Sequence, residues 1–332
     1  MRLGLLGLGR IGVFHASTLR ALPVVDSLVV ADLDPARARQ IADEIGSEAA
    51  ASLDDVLRAG VDGVVIAAAS GAHPELITAA VEAGLPVFCE KPLARELPHS
   101  VAVLRRLRDS DVPVHIGYQR RFDAGFAVAR SAVRSGELGW LHTLRSTTFD
   151  SSPPPPAYIA TSGGMFRDCG VHDYDAVRWV TGREVVEVYA VGSNRGDPSF
   201  TAAGDVDTSA ALLTLDDGTL ALVSNGRYNG RGYDVRLEVH GSMDSVAVGL
   251  DDALPLRSVE AGTSFPAGPP HAAFMQRFLP AYRAELAAFT EMVAGLRPSP
   301  CTVADALEAE YVAEACSRSL REHRPVRTEE VR

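Results

Sequence analysis

Apolar residues in the first third of the chain fall into short blocks separated by stretches of helix length. "RLGLLG" is a compact apolar run closed by glycine, and the segment from Ile11 to Ala21 repeats its apolar positions with a helical period. "SLVVADLD" is a second run, followed by the alanine- and arginine-rich segment 35–46. "DGVVIAAAS" is a third. "PELITAAVEAG" after it has the marks of a helix, with Pro74 early and Gly84 past the end. "PVFCEKP" and "PVHIGYQ" are two more strand-like runs with a helix between them. Strands that alternate with helices in this way predict a parallel sheet covered on both faces.

After about residue 120 the period changes from that of helices to that of strands. "LLTLDDGTLALVSN" predicts two strands joined by an Asp-Asp-Gly turn, a β-hairpin. "EVVEVYAVGS", "YDVRLEVHGS" and "DSVAVGL" alternate in the same manner. A mostly antiparallel sheet interrupted by helices follows. "SSPPPPAY" predicts a stiff, extended loop inside this second region. "FMQRFLPAYRAELAAFTEMVAG" predicts a long amphipathic helix with a break near Pro280. The expected fold class is α/β, with a parallel-sheet domain over residues 1–118 and a second α/β domain over residues 119–332.

Composition narrows the classes of partner. The chain of 332 residues is 46% hydrophobic and 23% charged, which is ordinary for a globular protein of two domains. Its formal net charge of -11 argues against nucleic acid and anionic membrane as partners. The N-terminus is too short in apolar residues for a signal peptide, and no run long enough to span a membrane occurs. Cys89, Cys169, Cys301 and Cys316 form no C-x-x-C pair, so free thiols in a reducing, cytoplasmic setting are expected. Cys169 beside Asp168 is a minor candidate nucleophile.

"GLGRIG" (7–12) fits G-x-G-x-x-G directly after a strand and at the start of a helix. Gly7 permits a tight turn, Gly9 a close backbone approach to a pyrophosphate, and Gly12 close packing of helix on strand. Arg10 and Ile11 lie inside the loop, where helix N-terminal amides meet the phosphates. Asp32 stands 20 residues after Gly12, where a carboxylate accepts hydrogen bonds from ribose hydroxyls. It would repel a 2′-phosphate, so NAD is expected over NADP, although Arg37 and Arg39 keep NADP as an alternative. Leu33 follows it at the adenosine end.

In "FRDCGVHDYD" (166–175), Asp168, His172 and Asp175 are spaced i, i+4 and i+7, which on an α-helix puts them on one face, with Asp173 on another. A polar helix stripe, a metal site and a proton-transfer pair all fit that spacing. The metal reading lacks a second histidine nearby. Proton transfer fits best beside a nicotinamide cofactor, because histidine titrates near neutral pH.

"GLGRIG", "EKP", "GYQRRFD" and "DCGVHDYD", in this order and spacing, resemble the glucose–fructose oxidoreductase/inositol dehydrogenase (Gfo/Idh/MocA) family, most closely its bacterial inositol 2-dehydrogenases. The resemblance covers essentially the whole chain. It implies an N-terminal Rossmann domain, a C-terminal α/β substrate and oligomerisation domain, a homotetramer or dimer, and NAD-dependent oxidation of a cyclic polyol such as myo-inositol. By the same resemblance Lys91 bonds the reacting hydroxyl and His172 is the general base, paired with Asp168. Arg121, Asp175 and Tyr233 then hold substrate hydroxyls. Cofactor contacts fall on Ala68, His73, Glu90 and Lys91 as well as on the glycine loop. Two departures stand out. "AASGAH" (68–73) replaces the common Thr-Pro-Asn, and Ser151-Ser152-Pro153 stands where inositol dehydrogenases can carry a substrate-binding asparagine. Another inositol stereoisomer, an aminocyclitol precursor or an aldopyranose is the alternative substrate. A non-catalytic NAD-binding regulator and a metal-dependent hydrolase are the alternatives of other classes.

Overall fold

A computed structural model describes residues 1–332. Six strands form the first sheet: β1 (Arg2–Leu6), β2 (Ser27–Ala31), β3 (Glu48–Ala49), β4 (Gly63–Ile66), β5 (Val87–Glu90) and β6 (Val114–Gly117). All pairings are parallel and the order is β3-β2-β1-β4-β5-β6. The strand order reverses between β1 and β4, which places a crevice outside their carboxyl ends. β1, β2, β4 and β5 are buried nearly throughout, because helices cover both faces. Leu3, Leu5, Val30, Val65 and Phe88 meet Ala16, Leu19 and Ile41 from the covering helices in one apolar core.

The unit built on this sheet is not one continuous stretch. It comprises Met1–Tyr118 and Tyr282–Leu307. The single division after residue 118 therefore needs correcting, since residues 282–307 were expected in the second domain. Leu286, Phe289 and Met292 of the helix Leu279–Val293 complete the first core. The returning chain also covers the sheet edge, where the Ile116 N–H donates to the Cys301 carbonyl and the Ser299 hydroxyl to the Val114 carbonyl. An amphipathic helix announces in sequence that it has an apolar face, but not which core receives it.

The second unit comprises Gln119–Ala281 and Glu308–Arg332. Its sheet holds β7 (Leu141–Phe149), β8 (Val185–Ser193), β9 (Thr208–Leu215), β10 (Leu220–Gly226), β11 (Asp234–Gly241), β12 (Ser245–Val248) and β13 (Val326–Arg327). The order is β12-β11-β7-β10-β9-β8-β13, antiparallel except for β7 with β10. β9 and β10 form the expected hairpin. One face of the sheet is buried by helices that include Val171–Thr181. On the other face Tyr189, Leu212 and Leu222 are exposed and sit side by side across three strands. The proline run ends in a single helical turn, Pro156–Ile159, rather than staying extended. The break at the C-terminal helix falls as expected, between Phe274–Arg277 and Leu279–Val293.

Candidate cofactor and proton-transfer sites

The turn after β1 shows why its three glycines differ. Gly7 has φ +92°, and a Cβ there would lie 2.6 Å from the Ala68 backbone. A Cβ on Gly12 would lie 1.9 Å from the Gly7 carbonyl oxygen, so the helix Arg10–Arg20 rests directly on the turn. A Cβ on Gly9 would meet nothing within 4 Å. Gly9 also precedes a helix whose first amides have no side-chain cap. Open space in front of uncapped helix amides is what a pyrophosphate requires. Asp32 follows β2, with one oxygen accepting the Leu8 N–H at 2.6 Å and the other the Asp34 N–H at 3.0 Å. Each carboxylate oxygen keeps a further lone pair for a ribose hydroxyl. Arg10 and Leu33 are exposed, while Ile11, Ala68, Glu90 and Lys91 are partly exposed. These residues fit a bound dinucleotide.

His73 is buried, 1% exposed, with both ring nitrogens facing backbone carbonyls. Nδ1 lies 2.8 Å from the Pro92 carbonyl and Nε2 lies 3.0 Å from the Ala68 carbonyl. A neutral ring carries one N–H and donates to only one of these. Burial opposes the cation that would satisfy both and holds the pKa below the ordinary histidine value. His73 thus ties the loop after β4 to the loop after β5, which carries Lys91. The peptide between Lys91 and Pro92 is cis. A second buried histidine, His15, bonds the Glu90 carboxylate at 2.6 Å.

In the second unit, Phe166–Gly170 forms a π-helical turn that runs into the α-helix Val171–Thr181. The α-helical spacing assumed for Asp168, His172 and Asp175 does not hold through that turn, a local geometry often found at functional sites. His172 is partly exposed, and Asp168 is 8% exposed. Asp175 is 0% exposed and is bound by the Arg121 guanidinium at 2.6 and 3.0 Å. Asp175 is therefore the ion-pair partner of Arg121. Arg121, buried with it, is committed to the same pair. Tyr233 is buried edge-on to Phe274 and Phe278, and burial pushes its hydroxyl pKa up. Burial likewise raises the Cys169 thiol, which removes the thiolate a nucleophile needs. All four cysteines are free and buried. No group of three or more His, Cys, Asp or Glu side chains is placed to hold a metal ion.

Sequence reasoning missed the partners of these residues. Asp173 is fully buried and accepts hydrogen bonds from Arg120, Ser146, Thr148 and Asn225, which pins the helix to β7 and β10. Asp168 is held by Arg227 and by the Tyr158 hydroxyl. The only trace of Arg227 in the sequence is a charged residue one position beyond the neighbour of a predicted strand.

A parallel sheet of this order with an open glycine loop, in a chain that also carries a buried carboxylate and a partly exposed histidine at a π turn, defines a dinucleotide-dependent oxidoreductase. The family model described as "Oxidoreductase family, NAD-binding Rossmann fold" matches residues 1–118, and the "GFO/IDH/MocA C-terminal domain" matches residues 126–247. The chain belongs to the GFO/IDH/MocA family of oxidoreductases. It is 41% identical to the myo-inositol dehydrogenase Hyg17 of Streptomyces leeuwenhoekii, over 96% of this chain and 97% of that protein. A myo-inositol 2-dehydrogenase of Thermotoga maritima is 35% identical over 100% and 99% of the two chains. The crystal structure of a myo-inositol dehydrogenase from Corynebacterium glutamicum superposes with a TM-score of 0.91 at 35% identity, covering 98% of each chain. A scyllo-inositol dehydrogenase from Lactobacillus casei with bound NAD(H) and scyllo-inositol gives 0.88 at 28% identity, covering 99% of each.

Proposed function

We propose that the protein oxidises a secondary hydroxyl of a cyclic polyol, with myo-inositol going to 2-keto-myo-inositol as the leading case. Bound NAD supplies the hydride acceptor, held by Gly7, Gly9, Gly12 and Asp32. His172 takes the hydroxyl proton as general base. Asp168 orients the imidazole and stabilises its charged form. Lys91, partly exposed after β5, stabilises alkoxide charge as it develops. The observation that carries this reading is full-length likeness to the Streptomyces relative named above, in a chain with Lys91, Asp168 and His172 all present. A different stereoisomer is the second reading, because Ser151, in the loop where an asparagine can bind substrate, donates its hydroxyl to the Ala272 carbonyl. The test is the initial rate of NADH formation with myo-, scyllo- and chiro-inositol, glucose and lactate. Oxidation of lactate and of no polyol overturns the substrate class. NADP used as well as NAD overturns the role of Asp32, and Asp32→Ser should narrow the preference for NAD.

The exposed apolar row Tyr189, Leu212 and Leu222 supports a homo-oligomer, a tetramer or dimer, seated on that sheet face. Leu212→Glu should dissociate it, as read by sedimentation. No helix is long and apolar enough to cross a membrane. The net charge supports neither nucleic acid nor membrane as a partner, and four free thiols support a cytoplasmic location.

A further inference from the structure

β7 and β10 run parallel with Phe149 opposite Gly226, and the Asp150 N–H donates to the Gly226 carbonyl at 2.9 Å. The next residues on the two strands, Asp150 and Arg227, thus leave the sheet side by side. The buried Arg227 guanidinium donates to Asp150 Oδ2 at 2.7 Å and to Asp168 Oδ2 at 2.7 Å. The other Asp168 oxygen accepts the Tyr158 hydroxyl at 2.8 Å. Each oxygen of one carboxylate is therefore gripped from a different element, a strand end and the helical turn after the proline run. We propose that Arg227 is a positioning residue for the reaction, acting through Asp168, with Tyr158 as the second arm of the clamp. This rests on the reading of Asp168 and His172 as the proton-handling pair.

A helix ladder fixes the backbone and not a side-chain carboxylate, and two directed, charge-assisted hydrogen bonds supply that orientation here. Arg227 also sets the charge. Burial works against its cation, yet the carboxylates around it, Asp168 and Asp150, push its pKa above the ordinary arginine value. Arg227 thereby places one cation between two carboxylates. Without Arg227, two carboxylates would share a buried site, and one would take up a proton.

The test is a double-mutant cycle read as kcat, polyol KM and, separately, NAD affinity by fluorescence titration. Arg227→Met should lower kcat roughly tenfold to a hundredfold, the range of coupling within one buried network, and leave NAD affinity unchanged. Arg227→Lys should recover part of the loss. In an Asp168→Asn background, Arg227→Met should add less than about twofold. If the separate losses multiply, Arg227 does not act through Asp168 and the proposal is wrong. Should Arg227→Met fail to fold, Tyr158→Phe removes one hydroxyl from a half-exposed side chain. It should cost kcat about three- to tenfold with an unchanged melting temperature, and nothing further beside Asp168→Asn. Full kcat in both Arg227→Lys and Tyr158→Phe overturns the proposal. Full kcat in Asp168→Asn removes the underlying reading, and the proposal with it.

Discussion

The two units handle polar chemistry in opposite ways. In the first, the candidate site is mostly main chain: a glycine turn, uncapped helix amides, and the carbonyls of Ala68 and Pro92, one of which accepts from a buried histidine. In the second it is side chain against side chain: Arg120 with Asp173, Arg121 with Asp175, and Arg227 with Asp150 and Asp168. A main-chain site is local and tolerant of what surrounds it. A buried ion pair is costly unless both partners are present and well aimed. The first arrangement suits a cofactor that must bind and leave. The second suits a fixed charge pattern around a proton.

The variant with the largest expected effect tests whether proton transfer belongs to the second unit. His172→Ala should lower kcat by roughly 10²–10⁴, the usual worth of general acid–base catalysis, while NAD affinity measured by fluorescence stays near the wild-type value. Near-normal turnover would erase the division of labour. Next, Asp175→Ala should cost about 3–5 kcal/mol of folding stability in denaturant unfolding, because it strands a buried guanidinium. Polyol KM per folded molecule should hardly change, whereas a large rise in KM would return Asp175 to the substrate.

Gly9→Ala sharpens the comparison from the other side. The backbone there has φ -66°, and the added methyl meets nothing within 4 Å, so melting temperature should hold. NAD affinity should fall about tenfold or more, a loss of about 1.4 kcal/mol. Lost stability with intact NAD binding would show that the open space is not the pyrophosphate's. The smallest effect concerns His73. Its pKa is lowered in the fold from 6.5, so its contribution is complete above the unfolded value and is lost as pH falls through the folded one. His73→Asn can still donate to the Pro92 carbonyl. It should lose less melting temperature than the wild type between about pH 7.5 and about pH 5.5. An unchanged pH slope would show that this ring titrates alike in both states.

The same contrast explains what could be read from the residues alone. Five of the six strands of the first sheet, all but β3, and the tight packing at Gly7 and Gly12 were legible because each depends on neighbours a few positions away. The β9–β10 hairpin was legible for the same reason. The Asp175–Arg121 pair was not legible because the two residues lie 54 positions apart. Arg227 was invisible because it is placed by the parallel pairing of β7 with β10, and a one-residue period of two does not reveal which strand lies next to which. The π turn was hidden because its composition is that of an ordinary helix start. Residues 282–307 were placed in the wrong unit because contiguity was taken for membership.

That last segment bears on how such a chain can be rearranged. The backbone passes from one unit to the other after residues 118, 281 and 307. A gene fragment ending at residue 118 encodes a sheet without Leu286, Phe289 and Met292, and with the β6 edge left bare where Ser299 and Cys301 now bind. Grafting this nucleotide-binding unit onto another substrate unit therefore takes three crossovers, not one. A single recombination event near its apparent boundary would deliver an aggregation-prone product, and inheritance would tend to keep the two halves of the gene together.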